Sequence, residues 1–128
     1  MEKMFSLCCK ITDICAQYFG MSYGEFNVWV FLHIQPITYI IGFLCSFIIC
    51  KNKYIRIYFI IGLLLSFIYY DYLIDMFPIS NDAFNLSVQK LEYYSKYFFN
   101  SYILCNYFIF IFVFLFIHIT NIILLRIK

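Results

Sequence analysis

The chain has 128 residues, of which 65% are hydrophobic and 12% charged, with a net charge of +2. Soluble domains carry roughly half apolar and a quarter charged residues, so this composition excludes an ordinary water-soluble domain and points to an all-α integral membrane protein. The small net charge also excludes the basic footprint of a direct nucleic-acid binder.

Residues 1–20 are amphipathic. Met4, Leu7, Cys8, Ile11, Cys15 and Tyr18 recur at helical spacing, with Glu2, Lys3, Lys10 and Asp13 elsewhere. Such a helix lies in a membrane interface or packs on a partner. Lys10 and Asp13 interrupt any apolar core, so the segment does not read as a signal peptide. The adjacent Cys8 and Cys9 admit an acylation or redox role. Cys45 and Cys105 lie inside apolar runs and read as small hydrophobes. No Cys or His spacing suits zinc, and neither a metal nor a cofactor is expected.

Three stretches, residues 26–50, 55–74 and 102–125, are long enough to cross a bilayer, which takes about 20 residues. They define a single membrane domain over residues 1–128. Lys51, Lys53 and Arg56 flank the first connection, and Arg126 and Lys128 close the chain. The positive-inside rule places those basic groups in the cytoplasm, with the N-terminus and residues 75–101 outside. The expected location is a bacterial inner membrane.

The first span opens with Ser22 and, three residues later, Glu25, the pattern of a capping box. It then carries His33, Gln35 and Pro36. A proline removes a backbone hydrogen bond and clashes with the carbonyl four residues earlier, here Leu32, so a kink is expected at 33–35. Gln35 or Thr38 could satisfy the freed groups, or the same polar residues could line a site.

Gln35, Tyr39, Gly42 and Ser46 fall within about 60° of one another on a helical wheel. In the second span Tyr58, Gly62, Ser66 and Tyr69 share a face. Small residues four apart let membrane helices approach closely. Counting outward from the short loop brings Gly42 level with Gly62 and Tyr39 with Ser66. The expectation is a tight hairpin with a polar seam of phenols opposite hydroxyls. The rival is that one of these faces contacts another subunit.

Between the second and third spans, Pro78 marks a break and Ser80, Asn81 and Asp82 form an N-cap cluster. A second interfacial helix is expected over 80–100, running on into the third span. That span carries Asn106, His118, Thr120 and Asn121. Polar groups inside a bilayer are functional candidates by default, so His33, Gln35, Asn106 and Asn121 form the candidate pore pathway. His33 and His118 differ in depth by roughly 13 Å at 1.5 Å per residue, too far to share one ion. Glu25, Asp71 and Asp75 would gather at one rim and, in an oligomer, form an acidic ring that attracts cations. The alternative for Glu25 is the cap alone.

No catalytic constellation is present, so an enzyme is not expected. In size and expected topology the chain is similar to one class of phage holins and to the small membrane effectors of bacterial anti-phage systems. That likeness rests on topology and length and transfers no residues. It implies an oligomeric channel or pore-forming protein, a homo-oligomer in the lipid bilayer, with a soluble or small-molecule trigger left open. The alternative is a structural or accessory subunit of a larger membrane complex.

Overall fold

The computed structural model describes residues 1–127; Lys128, counted above among the basic residues, lies outside them. Helices account for all the regular structure among the described residues. We number them α1 (Glu2–Tyr18), α2 (Tyr23–Ile49), α3 (Lys53–Met76), α4 (Asn81–Ser95) and α5 (Tyr102–Leu125). Helices α2, α3 and α5, of 27, 24 and 24 residues, are each long and apolar enough to cross a membrane.

Local chemistry starts each of these helices. Before α2, Ser22 Oγ accepts from the Glu25 N–H and the Glu25 carboxylate accepts from the Ser22 N–H, so both halves of the capping box form. Asn52 caps α3 by accepting from the Tyr54 and Ile55 N–H groups. Ser80 caps α4 and Ser101 caps α5 in the same way. Each cap meets donors that have no partner inside the helix.

α2 is the central helix. It packs along α3 as an antiparallel hairpin and along α5 on another side, while α3 and α5 make no comparable contact with each other. A groove therefore runs between α3 and α5, with α2 as its floor. At the end of the molecule opposite the α2–α3 loop, α4 docks across the start of α2. Gly24 permits this approach, because a Cβ there would strike the Asn81 amide oxygen and lie 3.2 Å from Phe84. Ser22 Oγ also donates to Asn81 Oδ1 at 2.8 Å. Val28, Leu32, Leu73, Phe77 and Ala83 form the core below. α1 lies over this same end. Phe19 packs on Phe26 and Trp29, and the Phe5 ring meets Tyr102 and Tyr107 edge-on at 6.2 and 6.1 Å. We call this the roofed end.

Two sequence expectations need correction. α4 does not run on into α5: it ends at Ser95, and Phe99 and Asn100 both take the left-handed conformation with φ of 55°. Two such residues in succession cannot continue a right-handed helix. The hairpin seam also differs from the expected polar one. Its register is close to that counted from the loop, but the Phe43 ring, rather than Gly42, lies over Gly62. Gly42 turns instead toward α5, where a Cβ would lie 3.2 Å from His118. Ser66 donates to the carbonyl of Gly62 in its own helix at 2.7 Å, so its hydroxyl proton is not spent across the seam. Ser46 is buried, whereas Tyr58 is 39% exposed and Phe59 takes the buried place.

Candidate functional site

The site begins with an irregularity in the backbone. α2 is π-helical over Val28–Ile34, directly before Pro36, and the Gln35 N–H reaches back five residues to the Val30 carbonyl. Widening the turn relieves the proline ring's clash with the preceding turn. α5 carries a π-helical stretch of its own, Phe108–Phe112, where the Val113 N–H reaches the Phe108 carbonyl. π-bulges are rare and often mark functional positions. Here the two lie side by side, with the Phe31 and Phe110 rings 5.1 Å apart.

A polar network ties them together. Gln35 Nε2 donates to the Phe110 main-chain carbonyl at 2.8 Å and to the Tyr39 hydroxyl at 3.0 Å, which uses both its protons. Gln35 therefore does not mend the break in its own helix, because the carbonyl it meets belongs to the neighbouring helix. Thr38 Oγ1 donates to the Gln35 carbonyl at 2.6 Å. With that hydroxyl proton spent, the 3.3 Å approach of His118 Nε2 to Thr38 Oγ1 makes the imidazole the donor. The network thus crosses from α5 to α2 and back to α5. Tyr39 faces the Phe114 and His118 rings, at 6.0 and 5.7 Å, and so belongs to this seam too.

The other candidates are dispersed. His33 Nε2 donates to the Phe77 carbonyl at the end of α3, 2.7 Å away. It ties two helices together and joins no path with Gln35. Asn121 is only 3% exposed, and both its amide atoms lack a partner. It lies beside Gly42, with the amide nitrogen 3.7 Å from a Cβ built there. Asn106 lines a space at the roofed end. His33, Gln35, Asn106 and Asn121 therefore do not form one continuous pathway within the chain.

Of the candidate rim residues, Glu25 is engaged in its cap, and Asp71 and Asp75 are exposed on α3. Among the described residues no group of three or more His, Cys, Asp or Glu could hold a metal.

Two spaces flank the paired π stretches. One, of about 140 Å³, lies under α1 at the roofed end, between Cys9 and Thr12 on one side and Asn27, Leu32, Leu91 and Asn106 on the others. The second is the groove between α3 and α5, of about 330 Å³, lined by Gln35, Tyr39, Phe43, Ser66 and Tyr69 among others. Phe31 and Phe110 belong to both walls and form a partition between the two spaces. Sequence reasoning missed this pair. Pro36 signals the first π stretch, but nothing in FIFIF distinguishes Phe110 from its neighbours.

No protein-family model matches the chain, and neither a curated protein nor a solved structure is significantly similar to it.

Proposed function

We propose that the protein is a three-span integral membrane protein that self-associates into a channel or permeabilising pore. The observation that supports this is the uncovered groove between α3 and α5, which holds Gln35, Tyr39 and Ser66, all buried near the middle of the candidate spans, with Tyr69 exposed beside them. Polar groups at that depth usually face protein or water. Three helices have too small a circumference to enclose water alone, so a conducting path takes several copies. Copies that turn this groove inward would line the path with a largely apolar wall that includes the Tyr69 phenol, with the Gln35–Tyr39 pair behind it. In this reading the chain resides in a bacterial inner membrane, N-terminus outside and C-terminus inside, in the manner of holins and anti-phage effectors.

The test is to purify the chain expressed alone, image the particles, and reconstitute it in vesicles loaded with a small dye. Symmetric rings and dye release are the expected results. A monomer that leaves the vesicles tight would overturn the proposal. One observation favours a second reading, an accessory subunit of a larger complex: only 6% of the most apolar window of α5 is buried within the chain. Extraction of the protein solely in company with other membrane proteins would select that reading.

A further inference from the structure

We infer that the space under α1 is a binding site for a small neutral amphiphile, a phenol or short-chain alcohol. The inference concerns binding alone and holds whether or not the chain conducts.

Size limits the ligand first. A volume of about 140 Å³ is close to that of an engineered apolar cavity of about 150 Å³ that takes up benzene. A single ring or a short alkyl chain fits, and a lipid does not. The walls limit its charge. The residues that line the space are apolar or neutral polar, with no charged side chain among them. An ion placed there would lose its hydration with no counter-charge to replace it. Thr12, Asn27 and Asn106 nevertheless put hydrogen-bonding groups among the hydrocarbon, so the wall suits a molecule with one polar end.

Tyr107 belongs to the wall through its ring, while its hydroxyl is buried out of reach of the space. Entry lies on the α1 side. Ala16 is the one residue of α1 that is fully buried, and Cys8 on the cavity side is exposed. α1 rests on α5 through the edge contacts of Phe5. An element with so little buried surface opens at low cost.

The test uses the full chain in lipid vesicles and a short-chain alcohol bearing a diazirine. After irradiation, adducts are mapped by mass spectrometry, with and without excess phenol. The expected result is labelling of the segments around Cys9 and Asn106, lowered about tenfold by phenol, as for competition at one site. Thr12→Trp, which fills the space from the roof, should abolish that labelling. Labelling confined to the outward positions Phe112, Phe116 and Ile119, or labelling near Cys9 that phenol does not displace, would overturn the inference. The competition arm needs no variant, so a misfolded Thr12→Trp protein leaves it decisive.

Discussion

The side-chain amide of Gln35 donates to the main-chain carbonyl of Phe110, 75 positions further along the chain. An amide beside a proline would ordinarily be expected to mend its own helix. In α2 the Thr38 hydroxyl reaches the Gln35 carbonyl, and the Gln35 amide is free to mend α5. The irregular stretches of two helices are thereby joined by one side chain.

Gln35→Ala should therefore act on stability first. It strips the Phe110 carbonyl and the Tyr39 hydroxyl of their donor at a buried position. A cost of about 1–3 kcal/mol is expected in SDS-titrated unfolding from mild detergent. A variant as stable as the parent would show that the bond contributes nothing.

Asn121→Leu should have the opposite sign. The parent buries an amide with neither atom paired, and an isosteric apolar group removes that penalty. A gain of about 1–2 kcal/mol is expected in the same assay. If the protein permeabilises vesicles, measuring dye release alongside separates a residue kept for stability from one kept for passage.

Gly62→Val should weaken the hairpin by about 1–3 kcal/mol, because its new side chain takes space held by the Phe43 ring. Phe43→Ala added to it should recover part of the loss. Gly42→Ala meets only the edge of His118 at 3.2 Å and should cost less. Equal effects at the two glycines would contradict the different partners assigned to them.

Gly24→Val should loosen the roofed end by forcing α4 off the start of α2. Faster cleavage of the detergent-solubilised chain by an added protease, in the segment 96–100, is the readout. The α2–α3 hairpin should keep its protection, since Gly24 lies outside that seam.

Phe31→Ala removes half of the ring pair that separates the roofed space from the groove. Dye release from reconstituted vesicles should quicken. Release at the parental rate would mean that the route for solute runs elsewhere.

Much of this fold was legible because its causes are local. The capping box at Ser22 and Glu25, the Ser80 cap and the lengths of the three apolar helices all depend on residues within a turn or two of each other. The count from the α2–α3 loop also came close to the observed register. Rotation was not legible. A helical wheel says that Tyr39 and Gly42 share a face, but not which neighbour that face meets, and α5 took it in place of α3. The π stretch in α2 turns the face further, since a wide turn shifts every residue beyond it relative to an ideal helix. The second π stretch, in a run of alternating Phe and Ile, is a tertiary outcome with no signature of its own.

The central place of α2 also sets an order of folding. Domains and their parts emerge from the ribosome N-terminal first, so α2 and α3 are made as neighbours and can close their seam, Phe43 over Gly62, before α5 exists. Helix α5 follows only after α4 and a connection that includes Phe99 and Asn100. Until it docks, Gln35 and Thr38 have no partner on that side, and the Phe110 carbonyl lacks the Gln35 amide. The last helix to arrive is thus the one whose irregular turn the waiting glutamine completes.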